Sequence, residues 1–224
     1  MAKFDEDLIM DNEQNAPMII KRYIAMFRRS KGSQARRNSA KSRDWFRMRV
    51  SKDLNHKTPQ IHKQFLEEKR RQVSNSKYLI GRMFLYGYDA KHKDKLPVWD
   101  AWPMVFFFDS FVGDGMTYGE KGVLYMRGIN IHYLPPALRL KLFAELIKTK
   151  NDSSLREKSK LKLSWRIIKA MAGGIGSHAV KTYRADHIMT QLAEINPRYW
   201  EIAIFLQLAQ WQKGGKKDAW KGIK

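Results

Sequence analysis

Apolar positions are spread unevenly along the 224 residues: they crowd into three short runs between Tyr78 and Leu134, and elsewhere recur singly at helical spacing. The runs hold Leu79, Met83, Leu85, Tyr86 and Tyr88, then Val105, Phe106, Phe107 and Phe108, then Val123, Leu124 and Tyr125 with Ile129, Ile131 and Tyr133. Their content of β-branched and aromatic residues predicts three strands. A Lys/His/Asp-rich loop from Asp89 to Pro97 separates the first two, and Gly113-Asp114-Gly115 with Tyr118-Gly119 separates the next. In the first run Leu79, Gly81, Met83 and Leu85 alternate with Ile80, Arg82, Phe84 and Tyr86, so neither face is polar. Such a sheet is covered on both sides or curled into a small barrel.

The flanks follow helical periods. Ile19, Ile20, Tyr23, Ile24 and Phe27 make one face of a short helix behind Pro17. Thr58-Pro59 opens a second, with Ile61, Phe65 and Val73 opposite a solvated charge run, Glu67 to Arg71. Pro135-Pro136 opens a third, striped by Leu138, Leu142, Phe143, Leu146 and Ile147, which is expected to pack on the sheet. Leu161, Trp165, Ile168 and Met171 predict a fourth, stopped by Gly173-Gly174. Ala185, Ile188, Met189 and Leu192 predict a fifth, ended by Asn196-Pro197. From Trp200 to Gln207 the alternation suits a strand that would close the barrel, though a helix also fits. The tail from Gln212 reads as basic, poor in core residues and mobile. The expected fold is α+β: a small antiparallel sheet or SH3-like barrel over residues 78–135, closed by a strand at 199–207 and flanked by helices. Residues 1–77 form an acidic tip, basic arm and helices, residues 78–135 the β core, and residues 136–224 a basic helical region.

Charge sharpens this division. Lys and Arg number 43 against 22 Asp and Glu, a net +21. The net is −4 over residues 1–20, +11 over 21–57, +3 over 58–77, zero over 78–135 and +11 over 136–224. A neutral centre between basic flanks suits a polyanion, and nucleic acid is the usual one. General solubility, or attraction to acidic protein or lipid, is the plainer alternative. Within residues 28–49, Arg28, Arg29, Lys31, Arg36, Arg37, Lys41, Arg43, Arg47 and Arg49 alternate with Ser, Gly, Asn and Gln. That composition predicts an arm ordering on phosphates, which the guanidinium fork meets bidentately. Trp45 stacks on a base at a DNA end or, with Phe46, anchors the arm. Lys158, Lys160, Lys162 and Arg166 are the matching candidates in the second basic flank.

Chemistry is harder to find. The absence of cysteine removes disulfides, thiolate metal sites and a thiol nucleophile. No apolar run reaches the ~18–20 residues of a membrane span, so a soluble cytosolic product without membrane partners is expected. The six histidines show no metal spacing, and the Gly173–Ser177 loop lacks the Lys-Ser/Thr pair of a phosphate loop. A two-metal nuclease would need Asp89, Asp100, Asp109 and Asp114 to converge. Asp100, before Pro103, suits a carboxylate bonded to backbone N–H groups, and His132 a strand histidine bonded to a loop. No catalytic residue, metal ligand or cofactor is assigned.

The motifs MFLYGYDAK (Met83–Lys91), LPVWDAWPMV (Leu96–Val105), GINIHYLPP (Gly128–Pro136) and YWEIAIFL (Tyr199–Leu206) resemble the DNA end protector family of T4-like tailed phages. The resemblance implies a virion protein of the capsid interior or neck, made in the host cytoplasm. It would sit in few copies on the ends of packaged linear double-stranded DNA and block host exonuclease without catalysis. Phage head or neck proteins are further partners. The arginines above rest on charge alone. A head-completion, neck or baseplate component binding acidic subunit faces, and a head-associated nuclease, stand as alternatives.

Overall fold

The computed structural model describes residues 63–70, 78–135, 177–195 and 208–221, with the single positions 138, 139, 142 and 200. Seven strands and two short helices lie in these residues: α1 (Lys63–Glu68), β1 (Met83–Leu85), β2 (Trp99–Asp100), β3 (Met104–Val112), β4 (Leu124–Asn130), β5 (Val180–Arg184), β6 (Ala193–Glu194), β7 (Trp211–Gln212) and α2 (Lys216–Ala219).

The apolar runs give the hairpin at the centre. β3 and β4 pair antiparallel from Val112↔Leu124 to Val105↔Asn130. β1 pairs with β3 through Phe84↔Val105, and β5 with β4 through Met126↔Tyr183. The sheet is fully antiparallel, in the order β5-β4-β3-β1-β6, and a separate two-stranded ribbon joins β2 to β7. Among the described residues the sheet ends in β5 on one side and β6 on the other and is open, without the expected barrel closure. Of residues 199–207 only Trp200 is described; it sits on a helical turn, buried on one face of the sheet.

Both faces are buried, as the unbroken apolar pattern requires. Met83, Leu85, Met104 and Phe106 point to one face, where Leu142, Trp200, Leu208 and Ala219 cover them. Phe84, Tyr86, Val105 and Phe107 point to the other, under Leu66 of α1 and Ala185, Ile188 and Leu192. Period two alone would separate Val112 from Val105 and Phe107. A bulge between Phe107 and Asp109 adds one residue and turns Val112 to their side. Gly128 lies opposite the bulge, where a Cβ would come within 2.4 Å of Val105 Cγ1 and 2.6 Å of the Phe106 carbonyl. Only glycine fits there.

Several expectations change on the flanks. The first strand is three residues long, with Tyr88 rejoining through an isolated bridge to Ile188. Ile131 to Tyr133 leave the sheet as a 3₁₀ turn. The helix expected over Ala185–Leu192 is a 3₁₀ turn, Ala185–His187, leading to the edge strand β6, because its apolar residues meet the sheet's own face. β5 falls where helices were expected. The tail read as mobile and poor in core residues supplies β7, α2 and buried Ala219. Pro135 does open a turn, its carbonyl accepting from Leu138 and Arg139 N–H, and Leu142 is buried against the sheet. The helices expected over 19–27 and 161–171 lie outside the described residues.

Candidate functional site

β2 carries Asp100 into the interior at the point where the ribbon meets the sheet. Its Oδ1 accepts hydrogen bonds from Trp102 N and Gln210 N, each at 3.0 Å, bearing out the expected backbone role. Its Oδ2 lies 2.6 Å from His132 Nδ1. The 3₁₀ turn holding His132 is capped by Asn130, whose Oδ1 accepts from His132 N and whose Nδ2 donates to Tyr183 Oη at 3.0 Å. The His132 carbonyl accepts from Trp220 Nε1 (2.9 Å) and Arg139 Nη2 (3.2 Å), and Arg139 Nε donates to the Leu134 carbonyl. His132 is therefore a turn residue bonded to a carboxylate, where a strand histidine bonded to a loop was expected.

Burial opposes charge throughout this cluster. It pushes the His132 imidazole below its ordinary value despite the adjacent carboxylate, and brings the Arg139 guanidinium down to about 10. For Asp100 burial also acts against ionisation, but His132 and the two backbone N–H groups outweigh it and hold the carboxyl below the usual range. The neutral imidazole thus donates through Nδ1 to an ionised Asp100. Its Nε2 is buried with no hydrogen-bond partner among the described residues. The pair ties β2 to the 3₁₀ turn that follows β4, and Gln210 and Trp220 add the C-terminal segment.

Beside this cluster opens a cleft of about 630 Å³, lined by Tyr88, Trp99, Tyr125, Tyr133, Lys181 and Arg184 among others, with Asp100 and Tyr183 at its lining too. The rings are locked by one another. Tyr133 meets Trp211 edge-on at 5.0 Å, Tyr88 meets Tyr183 likewise at 5.0 Å, and Tyr125 stacks on Phe111 at 5.3 Å. At the lining, Glu120 is paired with both Lys91 and Arg184, which joins the β3–β4 loop to the loop after Tyr88 and to the end of β5. Lys181 instead places its Nζ 4.1 Å from the centre of the Tyr133 ring, and burial alone lowers its pKa.

All fourteen residues assigned to nucleic acid from sequence lie outside the described residues: Arg28, Arg29, Lys31, Arg36, Arg37, Lys41, Arg43, Trp45, Arg47, Arg49, Lys158, Lys160, Lys162 and Arg166. The four carboxylates required by the nuclease alternative do not converge. Asp89 pairs with Lys93, Asp109 with Arg127, and Asp114 Oδ1 caps the N–H groups of Met116, Thr117 and Tyr118. No group of three His, Asp or Glu side chains poised for a metal occurs among the described residues. Lys181, Tyr183 and Arg184 were missed because VKTYR was absorbed into a helical region. Its alternation of Val180, Thr182 and Arg184 with Lys181 and Tyr183, rich in β-formers, was the available signal.

A family model described as phage T4 terminal DNA protecting protein matches residues 6–223. The chain belongs to that family. The match runs through both basic flanks as well as the aromatic core, so the DNA end protector resemblance read from the core motifs extends to nearly the full sequence. No curated protein and no solved structure matches the chain. Protection of DNA ends in a phage is the role its family assigns. Among the described residues no helix is long and apolar enough to cross a membrane.

Proposed function

We propose that this chain binds the ends of linear double-stranded DNA in the phage particle and shields them from host exonuclease by occupancy, with no bond made or broken. The basic flanks grip the backbone, through residues 28–49 and the region from Lys158 to Arg166, and the neutral β core holds them together. One observation supports this reading above the rest: a match to a DNA-protecting family over residues 6–223 in a chain with 43 basic against 22 acidic side chains. Even complete internal pairing leaves 21 cations without an acidic counterpart. Several of the core's charges are already paired, Arg82 with Glu194, Arg127 with Asp109, and Arg184 with Asp186 and Glu120. By segment the surplus lies in the flanks, +11 over residues 21–57 and +11 over 136–224, where phosphate neutralisation releases counterions.

The test is digestion of linear duplex by a processive exonuclease with and without the protein. Protection by the unaltered chain, lost or much reduced after reversal of Arg36, Arg37 and Arg43 to Glu and equally so on unrelated sequences, supports the proposal. Unprotected ends at low ionic strength refute it.

A further inference from the structure

Backbone grip alone does not distinguish a terminus from internal duplex, because phosphates are the same in both. What an end offers uniquely is a terminal base with one unstacked face and a strand able to fray. The cleft beside Asp100 has the chemistry to use that difference. Its aromatic walls, Tyr88, Trp99 and Tyr125, supply ring surface, and its volume of about 630 Å³ suits one nucleotide and excludes a base-paired duplex. Among its cations, Lys91 and Arg184 are engaged by Glu120, while Lys181 has only the Tyr133 ring against it and no carboxylate partner among the described residues. A half-buried ammonium without an anion, set among rings, is complementary to a nucleotide phosphate with its base stacked nearby. The rings need no rearrangement, since Tyr133, Tyr88 and Tyr125 are held by Trp211, Tyr183 and Phe111.

We infer that this cleft receives a single unstacked nucleotide from the duplex terminus, its base among Tyr88, Trp99 and Tyr125 and its phosphate on Lys181. The inference rests on the end-protecting reading and adds to it the feature that tells an end from a middle. The basic flanks then provide affinity and the core provides end recognition.

Two measurements test it on the full-length chain. In the first, the unaltered protein and K181Q are titrated against a 5′-phosphorylated blunt linear duplex and a covalently closed circle of the same sequence. Lys181 lies on the edge strand β5, so the substitution leaves the core intact. The expected result is a loss of about tenfold in the preference for linear over closed DNA, with affinity for the circle unchanged. Retained preference in K181Q, or equal weakening on both DNAs, overturns the inference. In the second, 4-thiothymidine is placed at the terminal position or ten base pairs inside and photo-crosslinked to the unaltered protein. Crosslinks from the terminal position alone to peptides carrying Trp99, Tyr125 or Lys181 support the cleft; crosslinks elsewhere, or equal yields from both positions, refute it. Failure of the unaltered chain to protect linear DNA is a different outcome, and refutes the proposed function itself.

Discussion

Asp100 keeps its charge inside the protein because donors converge on it: Trp102 N and Gln210 N on one oxygen, His132 Nδ1 on the other, with Asn130 Nδ2 at 3.4 Å. Removing it leaves those donors buried and unpaired, so Asp100→Ala should destabilise the fold by about 3–5 kcal/mol, read as a lower urea midpoint. The same cluster sets a pH response. The His132 pKa is lowered from 6.5 by burial, so below that value the unfolded chain binds a proton that the folded chain resists. Stability is then complete above about pH 6.5 and falls on acidification toward the folded pKa. Asp100, lowered from 3.8, adds a further loss at lower pH with the same sign. Urea midpoints measured from pH 7.5 to 5 should decline, and His132→Gln should flatten the decline. In the sequence Asp100 could be read as a carboxylate serving backbone N–H groups, since a turn before Pro103 demands it. Its bond to His132 could not, because that pairing depends on a 3₁₀ turn 32 residues away.

At the level of elements, what local pattern specifies was legible and what distant pairing specifies was not. β3 and β4 are long apolar runs joined by a glycine-rich loop, and their hairpin follows from composition and turn chemistry. Burial on both faces followed from the missing polar alternation in the first run. β6 and β7 are two residues each and exist only because β1 and β2 offer them an edge. Apolar residues from Ala185 to Leu192 satisfy a helical count equally well, and the sheet face decides between the two. The bulge, too, is invisible until both strands are seen, yet it makes a sharp prediction. Gly128→Ala forces a methyl against Val105 and the Phe106 carbonyl, and should cost about 1–3 kcal/mol, measured by chemical denaturation. Gly122, with open space beside it, is a poor comparison because its φ is +80°. Gly215, with open space and an extended backbone, is the better control for the same substitution.

Across the whole molecule, net charge is unevenly placed along the chain. The neutral segment 78–135 builds the sheet's centre, and the basic flanks carry +11 over residues 21–57 and +11 over 136–224. DNA affinity should therefore fall linearly with salt on a log–log plot, and reversing Arg36, Arg37 and Arg43 should reduce the slope by about 0.9 for each phosphate that is no longer neutralised. Equilibrium titration over a range of sodium chloride concentrations reads that slope directly. The C-terminal clasp has a separate consequence, for biosynthesis. Gln210 bonds to Asp100 across 110 residues, and Trp220 closes on the His132 carbonyl across 88. Nascent chains emerging from the ribosome hold the β3–β4 hairpin long before its cover exists, with Met104, Phe106 and Ile129 still awaiting Leu208 and Ala219. Maturation of the core thus waits for residues 208–220 to be translated, and a chain arrested at position 207 should be protease-sensitive where the released protein resists.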